Sequence, residues 1–325
     1  MSALSVVSAG VINDPSNKTL RFDLLKFGMD RFCVEMQRRG APIKLSDHEP
    51  VLGRFFADGC HAQVIDNTDR QSVVVRYSGR GYAYTNLTER MGFSSTGLVE
   101  YAVDFQEHED TMYIYFRPRS VGEATFQTLL IESAAAQVGL GLSGIDAEAV
   151  GKDIILRQLQ RGFTVIRHSA RGDVEFSPGL IPVGQRPFRP FEVVSSEKLT
   201  LDNDRTEVHG GQQDFIGIYV PDKDQRLSLN LSLDGAPAVD VFVVTESDGQ
   251  TLVQAYVTQR GGARLQRAPL LEAELRAGEP LKLAVNLTPG SYYLIFDHSP
   301  NMGRSTPVPG QQAAKIDYLL QLGER

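Results

Sequence analysis

Between residues 51 and 132, apolar and polar residues alternate in short segments that are separated by clusters of Gly, Asn, Asp and Ser. Alternation places the apolar side chains of an extended chain on one face, which is typical of half-buried β-strands. The segments are 51–56, 62–65, 72–77, 81–86, 99–105, 112–116 and 126–131, and the pattern resumes at 163–167 and 174–176. The sequence therefore predicts an antiparallel sheet.

A helix is predicted before this sheet. Asp14 and Pro15 supply an N-cap and a first helical residue, and Gly40 supplies a stop. Between them an apolar stripe recurs at helical spacing, formed by Phe22, Leu25, Met29, Phe32, Cys33 and Met36. A second helix is predicted over residues 146–160. Residues 1–177 are thus predicted to form an α+β domain with an amphipathic helix on an antiparallel sheet.

The rest of the chain is predicted to be all β. Residues 178–196 are rich in proline and predict an extended linker. The candidate strands that follow are 197–201, 215–220, 227–233, 239–245, 251–258, 270–275, 281–287, 291–296 and 316–322. Short strands at this spacing, with no helix between them, predict a β-sandwich domain over residues 197–325.

Composition limits the partners and the location of the protein. The 325 residues carry a net charge of −7, and neither half is basic, which argues against a nucleic-acid binder. No apolar run reaches the roughly 18–20 residues of a membrane helix. The N-terminus lacks the basic region of a signal peptide. The β-rich character favours the mature form of an exported protein, periplasmic or outer-membrane-associated, with a cytoplasmic protein as the alternative.

The two cysteines are placed to meet. Cys33 lies on the helix stripe, and Cys60 lies between two strands of the sheet on which the helix is expected to pack. We expect a Cys33–Cys60 disulfide in an oxidising compartment, with two buried free thiols as the alternative. A zinc site is disfavoured because neither cysteine has CxxC or HxxxH spacing around it.

Calcium is the one cofactor that the sequence suggests. Asp202 and Asp204 follow the first sandwich strand, and Asp222 and Asp224 flank Lys223 in another loop. Hard cations bind several oxygen ligands that converge from loops, so these carboxylates would form a site if the strands bring them to one edge. Ordinary Asp-rich turns are the alternative.

Two surfaces are predicted to contact a ligand. Arg157 and Arg161 belong to an arginine-rich part of the N-terminal domain, and guanidinium groups suit a carboxylate or a phosphate. A solvated rim is the alternative reading of these arginines. Phe22, Met29 and Phe32 of the helix stripe form an aromatic and flexible surface of the kind used for adaptable apolar contacts.

Two motifs suggest catalysis without supporting it. Residues 139–144 fit G-x-G-x-x-G, but the strand and the acidic residue that a dinucleotide fold requires are missing. In Asp297-His298-Ser299, neighbouring side chains of an extended chain point to opposite sides, so the three cannot bond in the order that a triad needs. No catalytic residue is predicted.

The C-terminal part resembles a known family. Residues 211–221 (GQQDFIGIYVP), the alternating RLSLNLSL, then VDVFVV and LTPGSYYLIFD look like the bacterial pre-peptidase C-terminal family. That resemblance covers about two fifths of the chain and implies a jelly-roll sandwich that binds or targets without catalysis, and that in some members holds calcium. The N-terminal part is only loosely similar to the tubular lipid-binding proteins, as an architectural analogy.

Three functions follow as hypotheses. The first is a non-enzymatic binding or adaptor protein of the bacterial cell envelope, in which the N-terminal domain recognises a protein or envelope component and the sandwich docks. The second is a carrier that encloses a lipid between the N-terminal helix and the sheet. The third is an enzyme whose catalytic residues are dispersed along the chain.

Overall fold

The computed structural model describes residues 9–67, 70–86, 88–133, 153, 156–157, 161–168, 174–193, 198–308, 310 and 312–324. Its helices are α1 (Ala9–Asn13), α2 (Lys18–Arg39) and α3 (Glu246–Thr258). The strands of the first half are β1 (Ala41–Ile43), β2 (Gly53–Asn67), β3 (Arg70–Thr85), β4 (Glu89–His108), β5 (Thr111–Ile131), β6 (Phe163–His168) and β7 (Val174–Pro178). Those of the second half are β8 (Leu199–Val208), β9 (Gln212–Val220), β10 (Gln225–Asp234), β11 (Ala238–Thr245), β12 (Leu271–Arg276), β13 (Leu281–Leu287), β14 (Gly290–His298) and β15 (Ala314–Glu324).

Strands β1 to β7 pair in sequence order into one curled antiparallel sheet, the N-terminal sheet. Strands β4 and β5 are 20 and 21 residues long, and their register shifts at three places. Such irregularities bend a sheet without ending it. The segments predicted as two strands at 112–116 and 126–131 are therefore one strand, β5, because the chain between them stays paired with β4.

Helix α2 lies against this sheet; it ends at Gly40 as predicted, but it begins at Lys18, three residues after the predicted first residue Pro15. The carboxylate of Asp14 accepts a hydrogen bond from the Ser16 N–H at 2.8 Å in the 3₁₀ turn (Pro15–Asn17) that precedes the helix. Gly40 ends the helix with a φ of 75°, a conformation that favours glycine. One face of α2 packs into the apolar core of the sheet through Leu25 and Met29. No helix within the described ranges is long and apolar enough to cross a membrane.

The second half contains the β-sandwich. One four-stranded sheet has the order β13-β10-β15-β8 and is called the outer sheet; the other has the order β12-β11-β14-β9 and is called the covered sheet. Between successive strands the chain crosses from sheet to sheet, except from β11 to β12, as in a jelly roll. The leucines of β10 alternate with polar residues and fill the core between the sheets.

One predicted strand of this half is wrong. Residues 251–258 form the last part of helix α3, whose N-cap Thr245 accepts a hydrogen bond from the Asp248 N–H at 3.3 Å. Its buried residues include Leu252, Val253, Tyr256 and Val257, which is the spacing of one helix face. Over residues 251–258 alone, the apolar residues fit a strand as well as a helix. The cap that marks a helix, Thr245, lies before this segment.

The covered sheet has one face against the outer sheet. Helix α3 and the N-terminal sheet together cover its other face. Phe56 and Tyr82 of the N-terminal sheet pack with Phe215, Tyr256 and Tyr293 in one aromatic cluster, which we call the seam. The rings of Tyr82 and Tyr256 meet edge to face at 4.8 Å between centroids. The seam consists of buried side chains from both parts, so the sandwich and the N-terminal sheet share a core.

A buried ion pair crosses the seam. The Arg54 Nε and Nη2 atoms donate to both carboxylate oxygens of Asp214 at 2.9 Å. Arg54 Nη2 also donates to the Tyr318 hydroxyl at 3.2 Å, and the Tyr82 hydroxyl donates to Asp214 at 2.7 Å. Burial alone would raise the pKa of Asp214, but the charge and hydrogen bonds of Arg54 lower it. Arg54 of the N-terminal sheet thus bonds to residues of both sandwich sheets.

The proline-rich connector is irregular, as predicted, and it is fixed to the protein on both sides. The Tyr115 hydroxyl donates to the Ile181 carbonyl at 2.7 Å, and the Phe188 N–H donates to the Asp47 carboxylate at 2.8 Å. The side chain of Asn203 on β8 bonds both backbone groups of Phe191. The domain limits 1–177 and 197–325 stay a prediction.

Candidate binding site

The apolar residues predicted to contact a ligand lie between α2 and the sheet. Met29 is 5% exposed and belongs to the core. The ring of Phe32 stacks on that of Phe163 with 5.3 Å between centroids, and Phe22 is half-buried. Packing within the protein therefore occupies Met29 and Phe32.

The predicted cationic residues lie at the edge of the described chain. Arg157 forms an ion pair with Asp153 at 2.8 Å in which both side chains are exposed, and the Arg161 N–H donates to the Arg157 carbonyl. Most of the helix predicted at 146–160 and the glycine motif at 139–144 lie outside the described residues. The ligand role of Arg157 and Arg161 stays a prediction.

The structure does not bring the four candidate calcium ligands together. Asp202 and Asp204 lie within β8, opposite Leu320 and Tyr318 of β15. Asp222 and Asp224 are exposed in the turn before β10, whose first residue pairs with the far end of β15. The carboxylate of Asp204 is bound by the Lys44 ammonium at 2.8 Å. Among the described residues, no three His, Cys, Asp or Glu side chains are grouped as metal ligands would be.

Cys33 and Cys60 form a disulfide in the structure. Their Cα atoms are 5.2 Å apart, and the bond joins α2 to β2. This is the pair that the helix stripe and the strand pattern placed on facing surfaces.

The Asp297-His298-Ser299 stretch is built as a structural unit. The Ser299 hydroxyl donates to the Asp297 carboxylate at 2.5 Å, and the Gln213 amide donates to it at 2.8 Å. The His298 ring points elsewhere, with Nδ1 at 3.1 Å from the Val208 carbonyl. Burial raises the pKa of Asp297 to about 6, and Asp240 on the neighbouring strand adds to this. The three side chains therefore lack the bonding order of a triad.

A concave surface of different character lies on the outer sheet. It has a volume of about 410 Å³ and is lined by Lys198, Arg226, Ser228, Lys282, Leu283, Ala284, Gly323 and Glu324. We call it the basic groove. Its floor is made of small residues, because Ser228 on β10 pairs with Ala284 on β13, and Gly323 on β15 pairs with Arg226.

Three cations surround this floor. The Lys198 side chain lies over Gly323, where an added Cβ would meet its Cγ at 3.0 Å, and its Nζ donates to the Ser228 hydroxyl at 3.2 Å. Within the described part of the chain, no acidic side chain forms an ion pair with Lys198, Arg226 or Lys282.

The sequence analysis missed the basic groove. Arg226 and Lys282 occupy polar positions of two alternating segments, where charged residues are expected on any solvent face. Only the pairing of β10 with β13 and β15 places them around one floor. The one local signal of a groove was a small residue at a polar position of a strand, as at Ala284 and Gly323.

Comparisons with known proteins assign no family. No protein-family model matches the chain, and no curated protein matches it significantly. A solved structure described as "CBM4 structure and function" is 9% identical, with a TM-score of 0.23, over 39% of this chain and 78% of that chain. A glycoside hydrolase family 43 arabinoxylan arabinofuranohydrolase from Bacillus subtilis is 8% identical, with a TM-score of 0.24, over 81% and 79%. The insecticidal delta-endotoxin Cry8Ea1 from Bacillus thuringiensis is 8% identical, with a TM-score of 0.27, over 89% and 51%. Likeness at these TM-scores carries no argument about function.

Proposed function

We propose that this protein is a non-enzymatic binding protein whose ligand lies in the basic groove of the sandwich. The observation that carries the proposal is a set of three cations, none in an ion pair with another described residue, around a floor of small residues. Unpaired charges around a concavity are available to a ligand, whereas the buried charges of the seam are already bonded to each other. This moves the recognition role from the N-terminal domain to the sandwich.

We also propose that the protein acts in the cell envelope, as a binding or adaptor protein. The disulfide between α2 and β2 supports this location, because such bonds persist in oxidising compartments. The lipid-carrier alternative has less support, since Met29 and Phe32 pack against the protein's own sheet. The alternative of an enzyme with dispersed catalytic residues stays a hypothesis.

Filling the groove tests the proposed site. Ala284 is exposed on the floor, and Ala284→Trp would occupy the space above it. We expect at least one polymer from a panel of anionic and neutral polymers to raise the melting temperature of the wild-type protein but not that of Ala284→Trp. Ala268→Trp, at an exposed position outside the groove, is the control and should respond like the wild type. A polymer that stabilises all three proteins equally would show that the groove is not the site.

A further inference from the structure

We infer that the ligand of the basic groove is an acidic saccharide chain, a polyhydroxylated polymer that bears carboxylate groups. This inference rests on the proposed binding function and adds the chemistry of the ligand. It depends on three features of the groove: the sign of its charge, the polar groups beside each cation, and the distance over which the cations are spread.

The charge of the groove selects an anion. Lys198, Arg226 and Lys282 supply three positive charges, and Glu324 supplies one negative charge. The whole chain has a net charge of −7, so the groove is a local reversal of the sign that the rest of the molecule carries. Opposite charges that meet in a concave, partly desolvated site attract more strongly than on a flat surface, because the local dielectric constant is lower.

The polar groups beside the cations can form hydrogen bonds with the hydroxyls of a ligand. Across the β10–β13 pair, Arg226 faces Asn286, Ser228 faces Ala284, and Asn230 faces Lys282. Each cation of this pair thus has an amide as its cross-strand neighbour, with a hydroxyl between the two rungs. Amides and hydroxyls both donate and accept hydrogen bonds, whereas Glu324 only accepts. A ligand that presents both carboxylates and hydroxyls matches this mixture of cations in the groove, the Ser228 hydroxyl and the amides that flank the cations on the neighbouring strand.

The spacing of the cations favours a chain over a single small anion. Arg226 and Lys282 lie on rungs four residues apart, so their backbones are separated by roughly 13 Å at 3.3 Å per residue. Lys198 adds a third charge across β15, above Gly323. One carboxylate cannot reach both ends of such a groove, but successive acidic units of a chain can.

Two other anionic partners, a nucleic acid and a lipid bilayer, fit the groove less well. A nucleic acid carries its charge on closely spaced phosphates, and a protein of net charge −7 would repel it outside the groove. A flat anionic bilayer would approach protruding cations, whereas these line a recess that also contains the carboxylate of Glu324.

Titration calorimetry with polygalacturonate tests the inference, with dextran as the neutral polymer. We expect the wild-type protein to bind polygalacturonate and not dextran. The Arg226→Gln/Lys282→Gln variant should bind at least about tenfold more weakly, because two charge-assisted contacts are lost. The control is Arg260→Gln/Arg264→Gln, which removes two exposed arginines outside the groove and should bind like the wild type. Raising the salt concentration should weaken binding by the wild type more than by the groove variant.

The outcomes separate this inference from the proposed function. Dextran bound by the wild type but not by Ala284→Trp would keep the groove as the binding site and overturn the acidic ligand. Polygalacturonate bound equally by the groove variant and the wild type would overturn the role of the cations. Binding of neither polymer would overturn the inference. Tighter binding of an RNA duplex or of anionic lipid vesicles than of polygalacturonate would also overturn it.

Discussion

Arg54 of the N-terminal sheet bonds side chains of the two other sheets where the three meet. It is 1% exposed, and its guanidinium bonds Asp214 of the covered sheet and Tyr318 of the outer sheet. A buried ion pair adds little net stability compared with an apolar pair, but a buried charge without its partner is costly. We therefore expect the loss of one partner of this pair to destabilise the whole molecule.

The substitution Asp214→Asn should lower the free energy of unfolding by about 3–5 kcal/mol, because it leaves Arg54 buried without a counter-charge. Urea denaturation measures this. The control is Glu274→Gln, which removes an exposed partner of Arg276 at 3.0 Å and should cost at most about 1 kcal/mol. Equal losses for the two variants would show that the buried pair does not hold the junction.

Asp297 should make stability depend on pH. Burial raises its pKa to about 6, so the folded protein holds this proton more tightly than the unfolded chain does. The resulting stabilisation is complete below the pKa of the unfolded chain and is lost as the pH rises through about 6.

The variant Asp297→Asn stays neutral at every pH. Relative to the wild type it should therefore gain up to about 3 kcal/mol of unfolding free energy between about pH 4 and about pH 8. Denaturation curves across this range measure the difference. Asp58→Asn, at an exposed carboxylate, is the control. A difference between Asp297→Asn and the wild type that does not change with pH would contradict the assigned protonation.

At the level of elements, helix α2 is tied to both halves of the molecule. Its last turn meets the covered sheet so closely that a Cβ on Gly217 would lie 1.9 Å from the Arg38 carbonyl oxygen. Gly217→Ala should thus cost about 1–3 kcal/mol or more, since backbone would have to move. Gly28→Ala, at an exposed position of α2 with nothing within 4 Å, should instead stabilise by up to about 1 kcal/mol. Thermal melts of the two variants should shift in opposite directions.

The disulfide also joins α2 to strand β2 of the N-terminal sheet. It links residues 27 apart, and its removal in Cys33→Ser/Cys60→Ser should cost roughly 3–4 kcal/mol in the chain-entropy description. A non-reducing peptide map of protein expressed in the periplasm should contain the Cys33–Cys60 cross-linked peptide. Two free thiols in that map would contradict the bond.

At the scale of the whole molecule, the shared seam should make unfolding cooperative. Separation of residues 198–324 would expose Phe215, Tyr293 and the carboxylate of Asp214. We therefore expect one calorimetric transition for the full chain, and strong binding of a hydrophobic dye by the isolated fragment. A flexible linker over residues 178–196 would instead allow the C-terminal fragment to be stable by itself. Two separate transitions, or a fragment that melts like the full chain, would show that the halves are independent.

The sequence by itself determined the elements whose signals are local. Asp14 and Pro15 start the 3₁₀ turn that leads into α2, and Gly40 ends the helix, through capping and backbone preference. Alternation identified most strands and the sandwich core. Helix α3 was not predicted, because over a few residues its sequence fits both a helical and an extended pattern. Its cap at Thr245 was a local signal that could have identified it.

The tertiary structure alone decided how the sheets meet and where the basic groove lies. Arg54 and Asp214 are 160 residues apart, and neither position differs locally from a surface charge on a strand. Likewise, Arg226, Lys282 and Gly323 come together only through the pairing of β10 with two strands that follow it much later. The physical reason is that local preferences fix the backbone conformation of one element and the face on which each of its side chains lies. A site depends on the register between elements that are distant in sequence.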